Sequence, residues 1–294
     1  VPPAREGRQG RARSDGAAGA ARAARDWAAP REASYEALTD DRGRGAMSEE
    51  IVYGLHAVRA LLRKRPEAVQ RVLVQAGRAD QRAAEVLALA RERGIGVDTR
   101  PPAELDKLAG GGVHQGIVAR VRPAVPLDEN GLFARIEAAS GPPLVLVLDG
   151  VQDPHNLGAC LRTADAAGVD VVVAPRDRAT GLTPVVRKVA AGAAETVPFA
   201  QVTNLARLLK DLKEHGLWIV GTDGDAEQLH YEASLTGPLG IVLGAEGSGM
   251  RRLTREHCDF VVKLPMLGAV ESLNVSAATG VMLYEALRQR ATKR

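Results

Sequence analysis

Five apolar runs constrain this chain more than any other feature: Leu144 to Leu148, Val169 to Ala174, Leu217 to Gly221, Leu239 to Leu243 and Phe260 to Leu264. A strand buried on both faces reads as a continuous hydrophobic stretch rather than as an alternation, and such strands belong to parallel sheets covered by helices on both sides. Helical patterns fall between the runs, at Leu157 to Ala167, Thr183 to Ala194, Asn204 to His215 and Arg252 to His257. This order predicts an α/β domain with a mostly parallel sheet over residues 144–294. Ligands of such sheets bind beyond the carboxyl ends of the strands, so the loops after Leu148, Gly221, Leu243 and Leu264 are where chemistry is expected.

Upstream the pattern is shorter and more compact. Helices are expected at His56 to Arg63, Gln81 to Arg93 and Pro102 to Ala109, with strands at Arg71 to Gln75, Gly96 to Thr99 and Gly116 to Val121, making a small α/β domain over residues 47–122. Its Arg excess, including Arg59, Arg63, Arg65 and Arg71, favours phosphate contacts over mere solvation. The glycine-rich turn at Gly110 to Gly116 presents His114 and Gln115. Residues 123–143, with Pro-rich ends and one short helix at Leu132 to Ala139, read as a linker. Residues 1–46 are rich in Ala, Gly and Arg, lack a helical or strand period and precede Met47, which reads as a disordered extension or as sequence upstream of the usual start.

Composition narrows the function classes. The chain has 294 residues, 45% of them hydrophobic, with no run near the length of a membrane span, and it reads as a cytoplasmic globular protein with no membrane partner. Cys160 and Cys258 are isolated, so neither a disulfide framework nor a zinc site is signalled, and no metal-ligand spacing appears elsewhere. A net charge of +3 permits a nucleic-acid partner without demonstrating one.

The loops carry specific polar residues. After the first long strand comes Asp149 to Gly158, with Asn156 in the loop and Arg162 on the following helix; an ion pair with Asp165 or Glu195 is the alternative use of that arginine. After the fourth comes Gly244 to Met250, in which Glu246 is the one charge among three glycines; the spacing is neither GxGxxG nor a phosphate loop, which argues against a nicotinamide-binding enzyme. After the last comes Leu264 to Asn274, where Glu271, Ser272, Asn274 and Ser276 crowd the start of a long helix that needs only one cap.

At these residues the sequence resembles the SpoU branch of the SPOUT methyltransferases, whose three motifs appear in order as LDGVQDPHNLGACLRTADAAG (Leu148 to Gly168), IVLGAEGSGM (Ile241 to Met250) and LPMLGAVESLNVSAATG (Leu264 to Gly280). YGLHAV (Tyr53 to Val58) and VHQGIVARV (Val113 to Val121) resemble the amino-terminal, ribosomal-protein-like RNA-binding domain of the family's bacterial large-subunit rRNA guanosine methyltransferases. The resemblance runs from Glu50 to the C-terminus.

The resemblance implies a deep trefoil knot in the C-terminal domain, a homodimer, and S-adenosylmethionine-dependent methylation of a ribose 2′-hydroxyl, with a guanosine of the 23S rRNA peptidyl-transferase region as target. A tRNA ribose methyltransferase of the same family and a non-catalytic rRNA-binding relative are the alternatives. It places catalytic roles on Asn156, Arg162, Glu246, Ser272 and Asn274, and cofactor contacts on Thr222, Gly224, Leu243, Gly244, Leu264, Met266 and Leu273. RNA contacts are expected at Arg63, Arg65, His114 and Gln115. Glu271 stands where many relatives carry a small residue.

Overall fold

The computed structural model describes residues 49–78 and 80–292, and the expectation for residues 1–46 lies outside them. The first sheet is built from β1 (Glu50–Tyr53), β2 (Val69–Gln75), β3 (Val97–Arg100) and β4 (Ile117–Val121), in the order β1-β4-β2-β3. Helices α1 (Leu55–Lys64), α2 (Gln81–Glu92) and α3 (Pro102–Leu108) connect its strands. β4 runs antiparallel to both neighbours while β2 and β3 are parallel. Helix α1 buries Leu61 and Leu62 against Val72 and Ile117, and Asp80 caps α2 by accepting a hydrogen bond from Ala83 N. β1 was not expected from the sequence: only Val52 of its four residues is buried, too little to make an apolar run.

Helix α4 (Glu129–Glu137) follows, and it is more than a linker helix: Leu132 and Ile136 are buried in the core of the second sheet. The second unit then alternates: β5 (Leu144–Asp149), α5 (Pro154–Ala167), β6 (Val171–Pro175), α6 (Pro184–Ala190), α7 (Ala193–Thr196), β7 (Phe199–Val202), α8 (Leu205–Glu214), β8 (Trp218–Thr222), β9 (Gln228–Leu229), β10 (Leu239–Gly244), α9 (Arg252–His257), β11 (Phe260–Lys263) and α10 (Val275–Thr292). Its sheet has the order β7-β6-β5-β10-β8-β11-β9 with every neighbouring pair parallel.

Each face of this sheet has its own core, which explains the continuous apolar runs. On β5, Leu144, Leu146 and Leu148 pack with α5 and α10, whereas Val145 and Val147 pack with α4 and α8. Helix α5 begins earlier than the apolar pattern indicates, because Asp153 accepts from His155 N as a cap and Pro154 occupies the first turn. Asn156 is therefore a helical residue, not a loop residue. The single helix expected over Thr183 to Ala194 is broken into α6 and α7 by Ala191 and Gly192, whose φ angles of 51° and 94° no α-helix contains.

Candidate active site

The carboxyl ends of β5 and β10 are level, with Asp149 paired to Gly244, and Thr222 at the end of β8 is paired to Val262 of β11. The three motif loops thus leave one edge of the sheet. Asp149, almost fully buried, accepts from Arg251 N at 2.9 Å and from Arg251 Nε at 2.6 Å, which ties the loop after β10 to the end of β5. Neither residue stands out in the sequence, where an acid at the end of an otherwise apolar strand is the one signal. That loop closes on itself through Ala245 N to Gly249 O at 3.1 Å and Gly249 N to Ala245 O at 2.9 Å. A Cβ on Gly244 would lie 2.1 Å from the Gly249 backbone, so only glycine lets the turn fold back so tightly.

Asn274 joins all three motifs. It caps α10, its Oδ1 accepting from Ser276 N at 2.9 Å and Ser276 Oγ at 2.6 Å. Its amide nitrogen donates to Asn156 Oδ1 at 2.9 Å and to Glu246 Oε1 at 2.6 Å. All four hydrogen-bonding capacities of the side chain are used, and the capping N–H dictates which end is oxygen. Aspartate would keep the cap but lose both donated bonds and set a second carboxylate against Glu246. Asn156 Nδ2 and Glu246 Oε2 have no protein partner among the described residues, so a donor and an acceptor remain for a ligand. Ser272 is exposed in the same loop.

The expected cofactor positions lie around this edge. Leu243 is buried at the end of β10, Thr222 donates its hydroxyl to Val242 O at 3.2 Å, and Gly224 is exposed just beyond. Leu264 and Met266 are half-buried and Leu273 is 40% exposed. Residues 264–273 make no backbone–backbone hydrogen bond among the described residues. Backbone groups are seldom left unpaired out of water, so this segment offers main-chain donors and acceptors beside apolar side chains, a surface that fits a nucleoside-bearing cofactor such as S-adenosylmethionine. Among the described residues no cluster of His, Cys, Asp or Glu could hold a metal ion.

Arg162 is directed elsewhere. It lies about 120° around α5 from Asn156 at 3.6 residues per turn, and it lines a cleft of about 770 Å³ between the two domains, together with Tyr53, His56, Gln115 and Lys188. The two acids expected as its alternative partners are engaged elsewhere: Asp165 by Lys64, and Glu195 by Arg65 and Arg187. Among the described residues Arg162 has no ion-pair partner. Among the described residues, two of the three non-glycine residues with positive φ, Gln115 and Ala191, line this same cleft, and such backbone conformations concentrate at functional sites.

The residues expected to touch RNA are placed unevenly. Arg63 is exposed. Arg65 instead donates to Glu195 O at 2.9 Å. His114 is buried, its Nδ1 accepting from Gly116 N at 3.0 Å and its Nε2 2.9 Å from Asp106 Oδ1, which makes Nε2 the protonated nitrogen. Gln115 Oε1 accepts from Leu55 N at 3.2 Å, capping α1 from across the domain because Gly54 has no side chain to do so. Both ring nitrogens of His114 and the side-chain oxygen of Gln115 are thus used within the domain, whereas the Gln115 amide nitrogen has no protein partner among the described residues and the residue lines the cleft.

Neither cysteine is poised as a nucleophile. Burial pushes the Cys160 thiol up to about 11, with the nearby Glu246 charge adding to it against a hydrogen bond shared with Thr279. Burial likewise raises Cys258 to about 12.

A doubly covered parallel sheet whose strand ends gather these three motifs is the architecture of an RNA methyltransferase, and the family comparison agrees. The SpoU rRNA methylase family matches residues 143–284, and the RNA 2′-O ribose methyltransferase substrate-binding domain matches residues 51–127. The chain belongs to the SpoU rRNA methylase family. It is 57% identical over 245 residues to the 23S rRNA (guanosine-2′-O-)-methyltransferase RlmB of Pseudomonas putida, covering 83% of this chain and 98% of that one. The Escherichia coli protein of the same name is 51% identical over 242 residues, covering 82% and 99%. Among solved structures, an RNA 2′-O ribose methyltransferase superposes with a TM-score of 0.64 at 30% identity, covering 83% of this chain and 90% of that one. The SpoU methyltransferase AviRb of Streptomyces viridochromogenes, crystallised with its cofactor AdoMet, shares the fold at a TM-score of 0.64 and 24% identity, covering 83% and 91%.

Proposed function

We propose that this protein transfers a methyl group from S-adenosylmethionine to the ribose 2′-hydroxyl of a guanosine in 23S rRNA. The observation that carries the proposal is Asn274, one side chain hydrogen-bonded to the first and second motifs while capping the helix of the third. High identity over both domains to relatives named for that reaction supports the guanosine target.

The cofactor supplies an electrophilic methyl on a sulfonium, so the chain's task is to align a ribose oxygen with it and to ease that oxygen's deprotonation. Thr222, Gly224, Leu243, Gly244, Leu264, Met266 and Leu273 would hold the cofactor at the strand ends. A guanidinium is a poor base, so Arg162 is read as the group that gathers the substrate rather than as the proton acceptor. Its planar fork grips the substrate phosphate beside the target ribose and lowers the hydroxyl pKa, with that phosphate aiding proton loss. Asn156, Glu246 and Asn274 keep the edge pre-organised, and Ser272 offers a hydroxyl to the ribose. Arg63, on the exposed face of α1, contacts phosphates from the substrate-binding domain, and the cleft lined by Arg162 is the path of the RNA.

A homodimer with a knotted C-terminal domain accompanies this reading. Exposed Val281 and Tyr284, one turn apart on α10, and the almost fully exposed Leu267 support a partner copy on that side. The protein would act in the cytoplasm, where its rRNA substrate is. Ribose-methylation mapping of 23S rRNA from cells lacking the gene should show one unmodified guanosine, restored with the gene; an unchanged map would refute the target.

A further inference from the structure

The cleft wall contains a buried carboxylate that the chemistry above leaves unused. Glu195, 2% exposed, binds three separate segments. Arg65, just past the end of α1, reaches its carboxylate at 3.4 Å, Arg187 of α6 pairs with its other oxygen, and Ala124 N, between the domains, donates at 2.7 Å. Arg187 Nη2 also donates to Ala124 O at 2.8 Å. A carboxylate withdrawn from water is tolerated only when fully paired, and the pairing here joins the small domain, the connecting segment and the large domain.

Two further contacts bear on the same junction. Asp165, three residues after Arg162 and therefore its neighbour along α5, accepts from Lys64 Nζ at 2.7 Å and from Thr196 Oγ1 at 3.0 Å. At Gly192 a Cβ would lie 2.7 Å from that of Ala57, so α1 is pressed against the turn between α6 and α7.

We propose that Glu195, seconded by Asp165, is a positioning residue that sets the spacing between the substrate-binding domain and α5, and with it the width of the cleft in which Arg162 meets RNA. The proposal rests on the cleft being the RNA path. Lys64, Arg65, Arg187 and Ala124 meet on two carboxylates, Asp165 on the helix that carries Arg162 and Glu195 on α7. A hinge left to the connecting segment alone would let the domains separate and would dilute the productive geometry without touching the strand-end site.

The test uses the full chain with spin labels at Arg93→Cys and Lys210→Cys, exposed positions on the two domains; the native thiols, pushed up to about 11 and about 12, label poorly. Glu195→Gln and Arg65→Ala should broaden the inter-domain distance distribution and raise KM for a 23S rRNA fragment about tenfold or more, as expected of a buried pair. The kcat and cofactor Kd should stay near wild type at a temperature where each variant is folded, while Glu195→Gln lowers Tm. Lys64→Asp should raise KM about threefold, the scale of an exposed pair, and Lys64→Asp with Asp165→Lys should restore both KM and the narrow distribution. If Glu195→Gln fails to fold, Arg65→Ala and the swapped pair still decide the question. Unchanged distances in Glu195→Gln and Arg65→Ala, or a swap that restores nothing, would overturn the positioning role. Broadened distances with an unchanged KM would instead overturn the reading of the cleft as the RNA path.

Discussion

The two ends of helix α5 are held by opposite kinds of interaction. At its first turn Asn156 is tied to Asn274, which also holds Glu246; two of these three side chains are neutral, and every bond of Asn274 is satisfied within the strand-end site. At its last turn Asp165 is tied to Lys64 of the other domain, and next to it Glu195 is tied to Arg65 and Arg187. Arg162 lies between. Directional hydrogen bonds fix a geometry to tenths of an ångström and depend weakly on salt, whereas ion pairs between domains are screened where they are exposed. The difference teaches that one helix separates the chemistry from the handling of a polyanion.

The sharpest way to break this division is at Arg162. Replacing it with Lys keeps the charge but removes the fork, so both Arg162→Lys and Arg162→Ala should lower single-turnover methyl transfer by roughly 100-fold or more, the scale of losing one positioned charge-stabilising group. Cofactor Kd and Tm should be unchanged, since Arg162 has no ion-pair partner among the described residues. A Lys variant with a near-native single-turnover rate would show that positive charge alone suffices.

Glu195→Ala comes next. It leaves Arg187 half-buried without its carboxylate and should cost about 3–5 kcal/mol in denaturant unfolding. A loss below about 1 kcal/mol would place the pair with ordinary surface ion pairs. Asn274→Ala removes a helix cap and should cost about 1–2 kcal/mol, while Asn274→Asp should keep most of that stability yet lose activity. If the Asp variant were fully active, the donated bonds to Asn156 and Glu246 would not matter to the reaction.

Much of the parallel sheet was legible in the sequence because burial on both faces leaves an apolar run. Strands with few buried residues, such as β1 and Gln228–Leu229, left no such mark. The break at Ala191 and Gly192 was hidden because alanine favours helix, and the close packing of α1 against Gly192 is a long-range contact that no local pattern shows. Asn156 read as a loop residue because Asp153 and Pro154 are equally turn residues and helix starters. Residue types at the site were visible, but the saturation of Asn274 joins residues 118 positions apart, and no local pattern encodes that. Glu195 was visible only as a possible partner of Arg162; its actual partners, Arg65 and Arg187, come from elements whose packing periodicity cannot supply.

Two smaller effects sharpen the comparison. Arg63→Ala should lower rRNA affinity several-fold and reduce the salt slope by about one, leaving cofactor binding alone, as expected of one phosphate contact. An unaltered slope would move the RNA footprint away from α1. Cys160, in the middle of α5, tests whether the helix opens: with its thiol pushed up to about 11, its thiolate fraction at pH 8 is on the order of a thousandth, so disulfide reagents should modify it very slowly until the pH approaches 11. Fast modification at pH 8 would mean that α5 separates from α10, and the rigid end would not be rigid.

On the function proposed above, the group modified is a ribose hydroxyl of RNA. The most direct measurement is incorporation of labelled methyl from S-adenosylmethionine into a 23S rRNA fragment, followed by digestion to nucleosides, run in parallel on the same fragment carrying 2′-deoxyguanosine at the target position. The label should appear only as 2′-O-methylguanosine and should vanish from the deoxy substrate. Label on a base, or incorporation that persists in the deoxy substrate, would contradict it.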